Sequence, residues 1–400
     1  MARHHHAGAM TGLALLFPIT LSTMAIVLLA PILPALLDQF SDIPRHEYLV
    51  PMVLTVPALC VALFSPIAGI MGDYFGRRRL LLVSFLIYAV VGVAPVYLDG
   101  LGPIIASRVA VGIAEAMIMV LSTTMIGDYF DGPARDRWLA AQTAMASISA
   151  LVFFNVGGFL GTFGWRAPFW VYASALLMFA LVARFTWEPS ERDASDEADA
   201  APHHASWAGF PWLRMAGIML VTVFGSVLFY TVQIQSPVGL TELGITDPAR
   251  TGFLTSLASI GVPIGTLIYS RAGSRLGVRS LLSIEFMLLA TGFLLMSRSG
   301  SPPGFLVGCF INQLGAGMLL PTLLVWAISG LAFEIRSRGA GLWTGAFSVG
   351  QFISPIAVTA AASVVGGLLG AFGVLAAAAL IASFVALLSR PRLRMAASHG

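Results

Sequence analysis

The chain has 400 residues, of which 58% are hydrophobic and 10% are charged, and its mean hydropathy is +0.87. A chain of this composition cannot keep its apolar surface from water, so an ordinary water-soluble fold is excluded. The formal net charge of +3 comes from residues scattered over many short loops, which argues against a nucleic-acid-binding face.

Twelve apolar runs are long enough to cross a hydrocarbon core about 30 Å thick as helices of about 20 residues. They cover residues 11–37, 49–71, 80–98, 103–126, 139–163 and 167–185, then 213–235, 252–270, 280–297, 304–331, 340–363 and 366–389. Lipid cannot satisfy backbone polar groups, so these runs are predicted to be α-helices. The first run lacks a small-residue cleavage site, and we interpret it as a retained helix. The sequence therefore predicts an all-α integral membrane protein.

A polar segment separates the sixth run from the seventh. From Glu188 to His204 it reads EPSERDASDEADAAPHH, rich in acid and alanine and without an apolar period. We interpret residues 186–211 as a linker between an N-terminal bundle, residues 1–185, and a C-terminal bundle, residues 212–400. The loops GIMGDYFGRRRL and SRAGSRLGVRSL follow the second and eighth runs and place Gly76 and Gly277 in matching positions. Two pseudo-symmetric six-helix bundles are the predicted architecture.

Arginine positions predict the orientation in the membrane. All 22 basic residues are arginines, and with a cytoplasmic N-terminus 17 of them fall in inner segments and 4 in outer loops. The positive-inside rule then places both termini and the linker in the cytoplasm. We expect a multi-pass protein of a bacterial inner membrane.

The loop after the second run closely resembles the signature loop of the major facilitator superfamily, which joins the second and third helices. The match covers Gly69, Asp73, Gly76, Arg77 and Arg78. A glycine at the first position lets two helices approach, and the second glycine permits a tight turn. In this family the loop is a gate latch, so the resemblance implies that these residues stabilise one of two access states.

Further matches extend the resemblance over most of the chain. RVAVGIAEA, from Arg108, is similar to the fourth helix of the family, and GDYFDGPARDR follows it with Asp128 and Arg135 as expected latch partners. GWRAPFW and WEPSE bound the sixth helix, and GQFISPIA resembles the eleventh helix of drug-efflux members. One departure is in the fifth helix, where FFNVGG has Phe153 and Phe154 in place of the glycine-proline pair of many antiporters. The motif therefore does not establish that the protein is an antiporter.

Charged residues inside a membrane cost about 2.5 to 3.5 kcal/mol each and so indicate function. On the fourth helix Arg108 lies about 8 Å and Glu115 about 18 Å from the outer end, on one face. Burial raises the proton affinity of a carboxylate and a nearby arginine lowers it, so Glu115 can load and release a proton. Arg108, Glu115 and Asp38 are our candidate coupling residues, and a fixed Arg108–Glu115 ion pair is the structural alternative. Asp38 ends the first helix at the outer boundary, where a wetted or gating residue is the favoured alternative. We expect Glu285 to snorkel or to pair with an inner-loop arginine.

The resemblance implies a central cavity lined by the first, fourth, seventh and tenth helices, with the second, fifth, eighth and eleventh at its sides. The candidate substrate-binding residues are Thr23, Asn155, Tyr230, Gln233, Asn312, Gln313, Trp343 and Gln351. A residue of this kind is more often involved in helix packing than in ligand binding, and we expect half of the set not to contact the solute. A neutral, aromatic and amide lining favours an amphipathic or weakly charged organic solute.

These features predict a proton-coupled exporter of a small organic solute, similar to the drug and sugar efflux branch of the family. A proton symporter that imports a metabolite is the second hypothesis. GIAEA and IGDYFD also resemble the spinster-like lipid exporters, although the pattern of their first helix is missing. No nucleophile elbow, phosphate-binding glycine loop or metal-ligand spacing is present, so we expect no enzyme, cofactor or metal. The expected partners are the solute, protons and the lipid bilayer, with no nucleic acid, and we expect a monomer.

Overall fold

The structure, a computed structural model, describes residues 7–188, 210–273, 275–332 and 335–388. Within these ranges all regular secondary structure is helical, and twelve helices are long and apolar enough to span a membrane. The all-α prediction with twelve spans is confirmed. Most of the predicted linker, residues 189–209, lies outside the described residues, and the division into two bundles stays a prediction.

The twelve helices are Ala9–Gln39 (α1), His46–Phe75 (α2), Arg77–Val96 (α3), Leu101–Tyr129 (α4), Gly132–Gly161 (α5), Ala167–Phe185 (α6), Trp212–Glu242 (α7), Pro248–Ala272 (α8), Val278–Arg298 (α9), Pro302–Ile328 (α10), Arg338–Val365 (α11) and Leu368–Leu388 (α12). Most of them extend beyond the predicted apolar runs, because a helix continues past the hydrocarbon core into polar residues. We call residues 7–188 the first half and residues 210–388 the second half. The near side is the membrane side on which α1 begins, and the far side is the opposite one.

Prolines interrupt several spans. In α1 the α-helical segments Ala9–Leu16 and Ile19–Val27 are followed by the 3₁₀ turn Ala30–Ile32 and the segment Leu33–Gln39. Pro18 and Pro31 lie where these segments join. Proline interrupts a helix because it donates no backbone hydrogen bond and clashes with the preceding turn. The first span is therefore broken rather than a continuous rod.

The buried apolar side chains form two large clusters. The first is built from the helices of the first half together with Ile234 of α7. The second is built entirely from residues of the second half, from Leu228 to Ala379. Each half therefore packs mainly on itself, and α7 contributes to both clusters.

Candidate functional site

The two halves meet at the far side. Helices α5 and α8 cross there, and a Cβ added at Gly158 would lie 2.5 Å from the Pro248 carbonyl oxygen. Helices α2 and α11 meet at the same level, where the Thr359 hydroxyl donates to the Glu47 carbonyl oxygen at 3.3 Å. A residue without a side chain is required where two backbones come this close. These contacts hold the far ends of the halves together.

Arg108 is fully buried inside the first half. Its Nη2 donates to the carbonyl oxygens of Val91 at 3.0 Å and Gly92 at 2.9 Å, both on α3. Its guanidinium carbon lies 4.8 Å from the ring centre of Tyr172 and 5.2 Å from that of Phe169. Carbonyl oxygens and aromatic faces both stabilise a guanidinium, so Arg108 joins α4 to α3 and α6.

Glu115 is 4% exposed, and its Oε2 has no hydrogen-bond partner among the described residues. Its carboxylate is close enough to interact electrostatically with Cys60 of α2 and with Tyr230 of α7. Burying a carboxylate oxygen without a hydrogen-bond partner costs free energy, so this position indicates a functional role rather than helix packing alone. Glu115 thus reaches from the first half toward the second.

Arg108 and Glu115 do not form an ion pair in the described part of the chain. The guanidinium of Arg108 is held by the α3 carbonyl oxygens, and Nη1 is buried without a hydrogen-bond partner among the described residues. The two side chains interact only electrostatically over a longer distance. The fixed pair that we considered as the structural alternative is therefore absent from these residues.

An aromatic cluster lies on the second half, formed by Phe229, Tyr230, Trp343 and Phe347. The ring centre of Phe347 lies 5.5 Å from that of Tyr230 and 5.4 Å from that of Trp343. The ring planes of Phe347 and Trp343 are inclined by only 17°. The Trp343 Nε1 is buried and has no hydrogen-bond partner among the described residues. Tyr230 also lies within electrostatic reach of Glu115 and packs against the apolar cluster of the first half.

Three of the predicted substrate-binding amides serve helix packing. Asn312 is fully buried and its Nδ2 donates to the Leu289 carbonyl oxygen of α9 at 3.3 Å. Gln313, also fully buried, donates to the Phe229 carbonyl oxygen at 3.4 Å and accepts from Gln233 at 3.4 Å. Buried amides require such partners. The structure therefore places Asn312 and Gln313 between α7, α9 and α10 rather than on an open surface.

The remaining predicted residues occupy different environments. Thr23 and Gln351 are half-buried, whereas Asn155 is exposed and donates to the Leu151 carbonyl oxygen of its own helix at 2.8 Å. Asp38 is exposed near the far end of α1 and does not lie with the buried acid at Glu115. This position is compatible with the wetted or gating alternative for Asp38, and its coupling role stays a prediction.

The signature loop forms an ion-pair network on the near side. Arg77 donates to Asp73 at 2.8 Å and to Asp128 of α4 at 2.5 Å. Arg78 donates to the Ala183 carbonyl oxygen at 2.9 Å through its side chain and to Glu188 at 3.2 Å through its backbone. This network ties the start of α3 to the ends of α2, α4 and α6.

Two expectations for the loop need correction. A Cβ at Gly69 would meet no atom within 4 Å, so Gly69 does not allow a close approach of helices. Gly72 has that role instead, since a Cβ there would overlap the Leu121 side chain of α4. Of the two expected latch partners, Asp128 joins Arg77, whereas Arg135 is paired with its neighbour Asp136 at 4.0 Å. Gly76 has a φ of +89°, as its predicted tight turn requires.

Glu285 is a second buried carboxylate, and the expectation that it snorkels or pairs with an inner-loop arginine was wrong. It is fully buried, and its Oε1 accepts a hydrogen bond from the Thr322 hydroxyl of α10 at 2.5 Å. Its Oε2 has no hydrogen-bond partner among the described residues. The side chain therefore points into the second half instead of reaching the near-side arginines. The combination of an acid in a span and a threonine in the following span was the available signal.

Comparison with known proteins identifies the family. The sequence profile described as Major Facilitator Superfamily matches residues 15–246. The chain is 26% identical over 314 residues to the class D tetracycline resistance protein of Salmonella ordonez, covering 76% of this chain and 77% of that protein. It is also 26% identical over 316 residues to multidrug resistance protein 2 of Bacillus subtilis (strain 168), covering 74% of this chain and 76% of the other.

Solved structures share the fold at low sequence identity. A bacterial homologue of the human lysosomal transporter Spinster, in an inward-facing and occupied conformation, superposes with a TM-score of 0.78 at 14% identity, covering 94% of this chain and 95% of that one. A D-xylose–proton symporter gives a TM-score of 0.74 at 15% identity, with 96% and 98% covered. The twelve spans, the signature-loop network and the profile match agree, and the chain belongs to the Major Facilitator Superfamily of membrane transporters, which are not enzymes.

Proposed function

We propose that the chain is a secondary active transporter that exports a small, amphipathic organic solute by alternating access, coupled to the movement of protons. The observation that carries the proposal is Glu115, a buried carboxylate of α4 whose Oε2 has no hydrogen-bond partner among the described residues and which reaches toward Tyr230 on the other half. A group in this place changes its surroundings whenever the two halves move relative to one another. A carboxylate with changing surroundings can bind a proton in one state and release it in the other.

The halves are the moving parts of this mechanism. We infer that residues 1–185 and 212–400 rock against each other as bundles, with the linker of residues 186–211 between them. The contacts between Gly158 and Pro248 and between Thr359 and Glu47 close the far side, which supports access to the pathway from the near side. Near-side arginines such as Arg77, Arg271 and Arg275 support a cytoplasmic near side by the positive-inside rule. The termini are then cytoplasmic, and the membrane is the inner membrane of a bacterium.

The aromatic cluster supports the solute class. Rings from Phe229, Tyr230, Phe347 and Trp343 provide an apolar surface, and Trp343 Nε1, which has no hydrogen-bond partner in the described part of the chain, provides a donor. A surface of this kind binds a flat apolar body that carries a polar group. Efflux is favoured by the relatives, which are named tetracycline and multidrug resistance proteins.

Proton-coupled import of a metabolite is the second candidate. It is favoured by α5, where Phe153 and Phe154 replace the glycine-proline pair that many antiporters carry. The same carboxylate would serve either direction, because the direction of transport depends on gradients and on the affinities of the site in its two states.

The test is transport by purified protein in proteoliposomes with an imposed pH gradient. The probes are tetracycline and the amphipathic dye ethidium. We expect the wild type to accumulate a probe against its gradient, and Glu115→Gln to lose accumulation by at least about ten-fold while solute exchange without a gradient continues. Full proton-driven accumulation by the variant would refute the role of Glu115.

Asp42→Asn is the matched control, since Asp42 is an exposed acid in the far-side loop after α1. It removes the same charge and should transport like the wild type. Direction is tested by expressing the chain in cells challenged with both probes. Protection supports export, whereas sensitisation by increased uptake supports import.

A further inference from the structure

A groove of about 590 Å³ lies along the near end of α8. Its wall is apolar at Ile264, Leu267 and Ile268, and it ends at Arg271 and Arg275. Ile264, Leu267, Ile268 and Arg271 recur at intervals of three and four, so they lie on one face of the helix, and Arg275 follows in the turn after Ala272. The groove thus changes from an apolar stretch to a cationic one toward the near side of the membrane.

This face of α8 points away from the protein interior. Gly261 and Gly265 lie on the opposite part of the helix, and a Cβ at Gly261 would lie 2.6 Å from the Phe310 carbonyl oxygen of α10. Leu267 and Ile268 are exposed, at 58% and 40%. In a spanning helix an exposed apolar face contacts lipid chains. The groove therefore lies on an exposed face of α8.

The two arginines are available to a ligand. Arg271 uses one nitrogen, Nη1, to donate to the Leu267 carbonyl oxygen at 3.3 Å, which turns its side chain back along the groove. Arg275 makes no side-chain hydrogen bond or ion pair with any other described residue, and both arginines are exposed. Two guanidinium groups beside an apolar wall match a phosphate that is attached to acyl chains.

The two positive charges of the groove have no counterpart at the matching positions of the first half. Because Gly76 and Gly277 occupy matching positions, Arg271 corresponds to Ile70 and Arg275 to Tyr74. Ile70 and Tyr74 are 72% and 83% exposed at the near end of α2. The first half thus presents an uncharged lipid-facing stripe where the second half presents two positive charges.

We propose that the α8 groove binds an anionic phospholipid of the near-side leaflet. One acyl chain lies against Ile264, Leu267 and Ile268, and the phosphate lies between Arg271 and Arg275. A zwitterionic lipid offers the same phosphate but adds a positive ammonium group beside the two arginines. The site therefore prefers anionic lipids over phosphatidylethanolamine. This proposal requires only that the chain spans a membrane and is independent of the solute and the coupling.

The experiment is native mass spectrometry of the whole purified protein, exchanged with equimolar phosphatidylglycerol and phosphatidylethanolamine. We expect the wild type to retain phosphatidylglycerol preferentially. An arginine near a membrane surface contributes about a five-fold preference for anionic lipid. R271Q should therefore reduce the preference by about five-fold and R271Q/R275Q by about 25-fold.

Two further variants keep the outcome decisive. R79Q/R137Q removes two exposed near-side arginines of the first half and should leave the preference unchanged. R271K/R275K keeps the charges and should retain most of it, which separates electrostatic binding from loss of folding. The proposal is overturned if the wild type shows no preference for phosphatidylglycerol, or if R271Q/R275Q retains the wild-type preference.

Discussion

Arg77 at the start of α3 donates a hydrogen bond to Asp128 at the end of α4, with 2.5 Å between Nη1 and Oδ1. The two side chains are 30% and 22% exposed, so the pair is partly shielded from water. It connects two helix ends on the near side, opposite to the contacts between the halves.

Asp128→Asn should weaken this network and slow transport. The amide keeps an acceptor oxygen but loses the charge, and a pair of this exposure is worth about 1 kcal/mol. We expect initial rates of solute transport to fall about five-fold. A double-mutant cycle with Arg77→Gln should give a non-additive effect, whereas Asp136→Asn, which leaves the Arg77 network intact, should behave like the wild type. Purely additive effects would contradict a direct role for the pair.

Gly158→Leu should prevent the far side from closing. The carbonyl oxygen of Pro248 lies 2.5 Å from a Cβ at this position, and a backbone atom cannot move aside as a flexible side chain can. We expect longer distances between spin labels on the far-side loops after α1 and α7, measured by pulsed electron paramagnetic resonance. Gly217→Leu is the control, since a Cβ there meets nothing within 4 Å. Unchanged distances in Gly158→Leu would refute close packing of α5 against α8 at the far side.

Arg108→Gln should destabilise the first half. The change removes two hydrogen bonds to α3 carbonyl oxygens and the stacking on Tyr172, all in a fully buried position. Each buried carbonyl oxygen that loses its donor typically costs about 1 to 3 kcal/mol. Thermal unfolding in detergent, followed by intrinsic fluorescence, should show a clear loss of Tm. Arg79→Gln, an exposed change on the near side, should leave Tm within experimental error.

Trp343→Ala should weaken solute binding more than Trp343→Phe. The indole stacks on Phe347 and its Nε1 has no hydrogen-bond partner among the described residues, so it can serve the solute. We expect Kd to rise about ten-fold for alanine, and less for phenylalanine, which keeps the ring but lacks the donor. Equilibrium binding of tetracycline or ethidium measures both. Trp170→Ala, on an exposed face of α6, should not change Kd.

Thr322→Val should lower stability, because it leaves the Glu285 carboxyl without its hydrogen-bond donor. A buried polar group without a partner costs about 1 to 3 kcal/mol. Thr291→Val is the matched control, since its hydroxyl is exposed and bonds only the Met287 carbonyl oxygen of its own helix. Equal Tm values for the two variants would show that the Thr322–Glu285 bond contributes nothing.

Local features were predictable from the sequence alone. A spanning helix requires a long apolar run whatever surrounds it, so twelve spans could be recognised one by one. The turn at Gly76 was predictable for the same reason, since a positive φ is a property of one residue and its neighbours. The positions of the arginines likewise predicted an orientation in the membrane, because the positive-inside rule requires no knowledge of tertiary contacts.

Side-chain partners were decided by the tertiary structure. Asn312, Gln313 and Glu285 are polar residues within apolar spans, and the sequence cannot distinguish a side chain that faces a pathway from one that faces a neighbouring helix. Helix rotation and packing direct all three against neighbouring helices. Packing also holds Arg108 on α3 and leaves Glu115 unpaired toward α7, although seven residues place them on one face. Periodicity along a single helix specifies a face, whereas the partner of that face depends on contacts between residues distant in the chain.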